Sequence, residues 1–277
     1  MSTTNLPVPS TAIQPKVTVI TVVLNLVDLI ERTLTGVIAQ DYPNLEYIVV
    51  DGGSTDGTLD VIRRYESRMT RWVSGKDSGP YGAMNKGAAL ASGEWIIFMN
   101  GGDVFTGRDA ISRAFALCDP AACDVIYGDG IFCGADYRFV EKAADQLTLH
   151  DGNGFSHQSA FVRVSLQREY GFDVTEKIAA DYDLFLRLFK AGKVFRHVDV
   201  VVSEFFIGGL SSVSPSETIR LRHRVYKKHF PRSDVVLWTR LAALATKVAA
   251  RSVVPTQLWD RVKRIRNRDK SLSLDRR

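Results

Sequence analysis

Residues 45–58 read LEYIVVDGGSTDGT, from Leu45 to Thr58, and this stretch decides the fold. Its start, with Leu45, Ile48, Val49 and Val50, predicts a short strand that delivers Asp51 into a glycine-rich turn. Ser54, Thr55 or Asp56 can cap a helix expected over residues 59–65. The same alternation extends to both sides. Upstream, residues 16–24 form a β-branched run, and residues 28–39 place Leu29, Ile30, Leu34, Val37 and Ile38 at helical spacing. Downstream come a strand over 70–74, an Ala-rich helix over 81–91, a strand over 94–99, a helix over 110–117 and a strand over 124–127. Periodicity is weaker over 128–163, where a strand is expected over 159–162. A helix over 179–190 and a strand over 195–202 follow. Regular strand–helix alternation with short connections predicts an α/β fold. Its mostly parallel, Rossmann-like sheet should carry helices on both faces. Ligands bind such sheets at the carboxyl ends of the strands. Three polar clusters fall there: Asn25, Asp51 and the run from Asn100 to Asp103.

Composition bounds the rest. The 277 residues are 45% hydrophobic, 24% charged and 10% aromatic, which suits one large domain with an appendage. Disorder, collagen-like repetition and a disulfide scaffold are excluded. Cys118, Cys123 and Cys133 lack paired Cys-x-x-Cys spacing and nearby histidines, so buried thiols in a reducing, cytoplasmic compartment are expected rather than zinc ligands. Residues 1–15 are rich in Ser, Thr and Pro and read as a flexible tail, not a signal peptide. No run of 18 apolar residues suggests a spanning helix. The net charge of +5 is unevenly placed. Residues from 217 onward hold 17 Lys+Arg against 5 Asp+Glu, a net of +12, and the remainder carries −7. Three segments are therefore expected: the tail 1–15, an α/β domain over 16–215 and a basic helical extension over 216–277.

The block from Asp51 to Thr58 is not a dinucleotide fingerprint, because no G-x-G-x-x-G follows the first strand. Nor is it a Walker loop, because the Gly-Lys-Ser/Thr ending is absent. A strand-end carboxylate beside glycines can bind a nucleobase or ribose, although a capped turn explains the same residues without a ligand. Further blocks are Lys76-Asp77-Ser78-Gly79-Pro80-Tyr81-Gly82-Ala83-Met84-Asn85-Lys86-Gly87 and Asn100-Gly101-Gly102-Asp103. Then come Ser156-His157-Gln158-Ser159 and Ala180-Asp181-Tyr182-Asp183.

In this order, over about residues 16–212, the blocks resemble the inverting family 2 glycosyltransferases with the GT-A fold. Among these the likeness is to bacterial enzymes that assemble exopolysaccharide, capsule or lipopolysaccharide sugars. The resemblance implies that Asp51, with Val23 and Asn25, binds the base of a nucleotide-sugar, preferably a UDP-sugar. It implies that Asp77 meets base or ribose, and that Asn85, Lys86, Asn100, His157 and Gln158 lie around the donor. Family members often carry Asp/Asn-x-Asp-Asp where this chain has Asn100-Gly101-Gly102-Asp103, so Asp103 alone is left to hold an implied Mg²⁺ or Mn²⁺. Asp181 matches the acid that takes the acceptor's proton, although the preceding Glu of many relatives is Ala180 here. Asp183 is expected to be structural. The implied acceptor is lipid-linked or a growing glycan. On this reading Asp51→Ala removes nucleotide binding and leaves the fold intact.

In the basic tail, Leu237, Leu241, Leu244 and Val248 fall on one helical stripe, with Arg240, Lys247 and Arg251 along its edge. Three central cations cost about 2.5–3.5 kcal/mol each in a bilayer, and each Leu or Val returns about 0.3–0.6, so spanning is excluded. The stripe can lie in an anionic membrane surface, making the protein peripheral at the inner face, or it can pack on the α/β body. Nucleic acid is not expected as a partner, because no base-stacking aromatics accompany the charge. Two competing functions differ in what they require. A sugar-1-phosphate nucleotidyltransferase needs a basic glycine-rich loop after the first strand, where this chain has Val22-Val23-Leu24-Asn25. A nucleotide-binding adaptor with a membrane-associating tail has no use for Asp181.

Overall fold

The computed structural model describes residues 14–134, 138–144, 154–206 and 215–231. The chain divides into two units, Met1–Ser212 and Val213–Arg277. The first opens with β1 (Val17–Val23), α1 (Val27–Ile38), β2 (Leu45–Asp51), α2 (Thr58–Arg64), β3 (Arg71–Ser74), α3 (Pro80–Leu90) and β4 (Trp95–Phe98). It continues through β5 (Val104–Phe105), α4 (Ala110–Ala116), β6 (Val125–Cys133), β7 (Arg138–Glu141) and β8 (Ala160–Arg163). It ends with α5 (Val164–Tyr170), α6 (Ala180–Lys190) and β9 (Phe195–Phe206). In the second unit α7 (Pro215–His229) is described. The stripe around Leu237–Val248 and the tail 1–13 lie outside the described residues.

Side-chain alternation makes the layers. Val17, Val19, Tyr47, Val49, Trp95 and Ile97 belong to one apolar cluster with Ile30 and Leu34 of α1, Ile62 of α2 and Ile111 of α4. Their neighbours Ile20, Val22, Ile48, Val50, Ile96 and Phe98 belong to a second, with Met84 of α3 and Leu184 and Leu188 of α6. A sheet buried on both faces needs strands that are apolar throughout, which is how β1, β2 and β4 read.

The sheet order is β3-β2-β1-β4-β8-β6-β9-β5, with β7 beside β6. β3, β2, β1 and β4 are parallel, as are β6 and β9, and β8 runs antiparallel between β4 and β6. The weakly periodic region thus contains regular strands. β6 extends to Cys133 through Gly128-Asp129-Gly130, where its register against β9 shifts. A Cβ at Gly128 would overlap the Val200 carbonyl, so glycine permits the close approach there. Asp129 is buried and pairs with Lys142 (2.6 Å) while accepting from the Ala143 N–H (2.9 Å). Alternation-based reading misses such a strand because glycines and a buried acid interrupt its pattern.

At the edge opposite the strand ends that carry Asn25 and Asp51, Glu46 ties three segments together. It is 4% exposed and accepts from Thr18 Oγ1 (2.6 Å), Ser92 N (2.6 Å), Ser92 Oγ (2.5 Å) and Lys16 Nζ (3.2 Å). Burial acts to raise its pKa, but these donors outweigh burial and lower it to about 2. Because the folded value lies below the ordinary 4.5, the stabilisation is full above that value and is lost as pH falls from there towards 2. Glu46→Gln should cost about 1.5–3 kcal/mol near neutrality, read from urea midpoints. It should also flatten the acid loss of stability in that window. An unchanged acid limb would show that Glu46 contributes nothing there.

Candidate active site

The turns after β1 and β2 are sewn to each other. Asn25 sits in the left-handed region at φ 50°, a conformation Asn tolerates, and its Oδ1 accepts from Thr55 N (2.9 Å). Its own N–H donates to Ser54 Oγ (2.8 Å). Leu26 N donates to Thr58 Oγ1 (2.9 Å) and Val27 N to Asp56 Oδ2 (3.0 Å), so the second turn satisfies the first donors of α1. Asp51 is fully buried. Its Oδ2 accepts from Gly53 N (2.9 Å), Ser54 N (3.0 Å) and Ser74 Oγ (2.6 Å), and its Oδ1 has no hydrogen-bond partner among the described residues. One oxygen holds the turn; the other takes no part in holding it. Asp77 reaches the same place from the end of β3. Its Oδ1 accepts from Gly79 N (2.8 Å), and its Oδ2 lies 3.0 Å from where a Gly52 side chain would begin.

The turn after β4 carries Asn100 and Asp103. Gly102 sits at φ 94°, which disfavours any other residue, so the second acid of the common family pattern does not suit this turn. Thr33 of α1 receives Gly102 N on its hydroxyl (2.9 Å) and donates to the Asp103 carbonyl (2.8 Å), fixing the turn against the helix. Burial pushes Asp103 up to about 6, against the opposing effects of Gln158, His157, the Phe206 N–H and Arg32. Gln158 Nε2 donates to Asp103 Oδ2 (3.3 Å) while Gln158 Oε1 accepts from Ser156 Oγ (2.7 Å).

β8 brings a second group of polar side chains in. Because Ile96 of β4 faces Val162 of the antiparallel β8, the helical turn His157–Ser159 that precedes β8 arrives at the carboxyl end of β4. There Asn100 Nδ2 lies 3.3 Å from His157 Nε2, and His157 Nδ1 lies 3.4 Å from Asp181 Oδ2. Asp181 stands in the first turn of α6, where a carboxylate is favoured, and its Oδ1 accepts from Tyr182 N (2.8 Å) and Tyr81 Oη (3.3 Å). The structure therefore brings Asn100, His157 and Asp181, residues 57 and 24 positions apart in the chain, to within 3.3 Å and 3.4 Å of one another in turn.

Two expected donor-lining residues take supporting places. Val23 is buried in the core under Gly101, whose missing side chain would start 3.1 Å from Val23 Cγ2. Asn85 is engaged at both ends by Phe172, donating to its carbonyl (2.8 Å) and accepting its N–H (2.9 Å). Lys86 is half-buried on α3 and pairs with no described carboxylate. Asp183 is 1% exposed and bound to Arg187 Nε (2.7 Å), whose other nitrogens hold the Tyr170 and Gly171 carbonyls. Tyr81 was not singled out from the sequence; only its placement on α3 facing α6 gives it a part.

Comparison with known proteins decides the family. Residues 18–169 match the model of the family described as Glycosyl transferase family 2. The chain belongs to that family. This glycosyltransferase is 31% identical over 205 residues to the PGL/p-HBAD biosynthesis glycosyltransferase of Mycobacterium bovis (strain BCG / Pasteur 1173P2), which covers 72% of this chain and 80% of that protein. Its fold is similar to S. aureus TarS 1-349 in complex with UDP-GlcNAc. There the TM-score is 0.62 and the identity 20%, covering 81% of this chain and 69% of that one. It is also similar to the mannosyltransferase PcManGT from Pyrobaculum calidifontis in complex with GDP-Man and Mn²⁺, with a TM-score of 0.59 and 21% identity, covering 94% and 82%. These likenesses carry the GT-A fold.

The triple acceptance by Asp51 changes what its removal should do. Asp51→Ala leaves Gly53 N, Ser54 N and Ser74 Oγ without their acceptor; of the three residues Ser54 is buried, and a buried group left unpaired costs about 1–3 kcal/mol. The variant's Tm, measured without any ligand, should fall by several degrees. A Tm equal to that of the wild type would restore the expectation of an intact fold.

Proposed function

We propose that this glycosyltransferase moves a sugar, with inversion, from a nucleotide-sugar to a lipid-linked or growing glycan acceptor in bacterial cell-surface polysaccharide synthesis, with a UDP-sugar as the favoured donor. The placement of Asp181 beside His157, which itself faces Asn100 in the turn after β4, carries this reading, because it sets one carboxylate near the residues assigned to the donor. The relative from M. bovis, named for PGL/p-HBAD biosynthesis, supports a biosynthetic glycosyltransferase in bacteria. The UDP-GlcNAc and GDP-Man complexes of the structural neighbours support a nucleotide-sugar donor.

Asp51 Oδ1 and Asp77 receive the base and ribose, with Asn25 holding the turn around them. Lys86 and Asn100 lie toward the diphosphate, and Gln158 orients Asp103. In the transfer the acceptor oxygen bonds to the anomeric carbon as the bond from that carbon to the phosphate oxygen breaks. The nucleoside diphosphate leaves with the electron pair, and Asp181 takes the proton of the acceptor hydroxyl. The donor set also fits a hard divalent cation. Asp103 is a buried carboxylate whose neighbours do not offset its desolvation, and Asn100 Oδ1 is a buried acceptor without a partner. Asp103 would hold Mg²⁺ or Mn²⁺, which when bound supplies positive charge to the diphosphate.

Asp181→Asn should lower turnover by about 10²–10⁴-fold while donor binding, read by thermal shift with UDP-, GDP- and dTDP-sugars with and without Mn²⁺, stays near wild type. Asp183→Asn should instead lower stability by about 1.5–3 kcal/mol, because it removes the charge from the buried partner of a half-buried arginine. Turnover per folded molecule should then persist. Normal turnover by Asp181→Asn removes the proposed mechanism.

No described helix is long and apolar enough to cross a membrane. The charge of the extension supports peripheral contact with an anionic surface. Deleting residues 217–277 removes a net +12 and should release the protein from anionic liposomes at low salt. Undiminished binding would overturn this part of the reading.

A further inference from the structure

We propose that Asn85 and Tyr81 of α3 are positioning residues for Asp181; this rests on Asp181 being the base. α3 is fixed relative to the donor edge. It starts just after Asp77, whose Oδ1 accepts from Gly79 N (2.8 Å), and it lies close on β1, where a Cβ at Gly87 would stand 2.7 Å from Ile20 Cγ2. Asp181, by contrast, follows an irregular connection: residues 171–179, between α5 and α6, contain no helix or strand. A segment of this kind takes its path largely from the neighbours that satisfy its backbone.

α3 grips the connection at both ends. At its start, Asn85 Nδ2 donates to the Phe172 carbonyl (2.8 Å) and Asn85 Oδ1 accepts from the Phe172 N–H (2.9 Å). The amide has one orientation here, because a flipped one would set N–H against N–H and carbonyl against carbonyl. Phe172 follows Gly171, which ends α5 at φ 55°, and its buried ring packs on Tyr81 with the centroids 5.2 Å apart. At the other end, Tyr81 Oη lies 3.1 Å from the Ile178 carbonyl oxygen and 3.3 Å from Asp181 Oδ1, the oxygen that also accepts from Tyr182 N (2.8 Å). The hydroxyl has a single hydrogen, and donation to either acceptor ties the end of the connection to α3. Residues four apart on a helix share a face, so Tyr81 and Asn85 are two rungs of one support, joined by the Phe172 ring. Neither side chain takes part in the proton transfer. Fixing the connection fixes where α6 begins, and a catalytic group displaced by about 1 Å can lose a hundredfold in rate. Donor binding is served from elsewhere, since Asp51 and Asp77 stand on the turns after β2 and β3.

The test compares substitutions in two backgrounds. Turnover is read as hydrolysis of the donor. The water oxygen bonds to the anomeric carbon as the bond from that carbon to the phosphate oxygen breaks. The nucleoside diphosphate leaves with the electron pair, and Asp181 takes the proton of the water. The donor is whichever of UDP-glucose, UDP-N-acetylglucosamine, GDP-mannose and dTDP-glucose most stabilises the full chain. It is radiolabelled and used under single-turnover conditions at a temperature well below the Tm of each variant. Asn85→Ala should lower the rate about a hundredfold and Tyr81→Phe, which keeps the ring, about tenfold, with donor dissociation constants within about twofold of wild type. Placed in Asp181→Asn, the same substitutions should change the rate by no more than about twofold, because an absent base has no position to lose. A loss by the same factor in both backgrounds marks a general disturbance of the fold and overturns the proposal. So does an unchanged rate with the base present, or a loss carried by weaker donor binding. Should Asn85→Ala not fold, Tyr81→Phe carries the same comparison. Asp181→Asn by itself separates the two levels: a normal rate there refutes the base assignment. A low rate there, with equal losses in both backgrounds, refutes only the positioning role.

Discussion

Strand β8 runs against both of its neighbours, and the geometry of the site follows from that reversal. Parallel strands deliver their carboxyl ends to one edge, so β1 to β4 present Asn25, Asp51, Asp77 and Asn100 there. An antiparallel strand inserted beside β4 delivers its beginning to the same edge. His157 and Gln158 reach Asn100 and Asp103 for this reason alone. The sheet is thereby extended past the four parallel strands into β6 and β9, with α6 and Asp181 standing on the face shared with α3.

Four buried carboxylates show how the chain divides holding from binding. Asp51 is compensated by two backbone N–H groups and a hydroxyl, Asp183 by a guanidinium, and Asp129 by an ammonium and a backbone N–H. Each of these ties one segment to another. Asp103 has a long amide contact, one backbone N–H and more distant cations, and burial raises it to about 6 in spite of them. Of these four acids, Asp103 is the one whose neighbours leave its desolvation uncompensated.

The family's departures in this chain have physical causes where the structure shows them. Gly102 occupies a backbone conformation that suits glycine, so loss of the second acid goes with the shape of the turn. Of the block from Asp51 to Thr58, most side chains bind the chain itself: Ser54, Asp56 and Thr58 serve the start of α1, while Asp51 Oδ1 is buried without a hydrogen-bond partner among the described residues. A motif associated with nucleotide binding is, atom by atom, chiefly a splice between two loops.

The sequence by itself determined the alternation of β1 to β4 with their helices, because apolar spacing and turn chemistry are local and strong there. It also determined the candidate edge, since Asp51, Asn100 and Asp103 end runs that read as strands. It could not show that Asn85 braces Phe172, that Val23 turns into the core, or that Asp183 belongs to Arg187. An amide, a valine and a carboxylate carry no mark of which neighbour they meet. β5, β7 and the full lengths of β6 and β9 were equally hidden, because pairing between distant segments holds them where local pattern is broken by glycines and charges. Only the tertiary structure decided that His157 stands between Asn100 and Asp181. That contact depends on the direction in which β8 enters the sheet, and strand direction is fixed by packing of the whole sheet rather than by any residue within the strand.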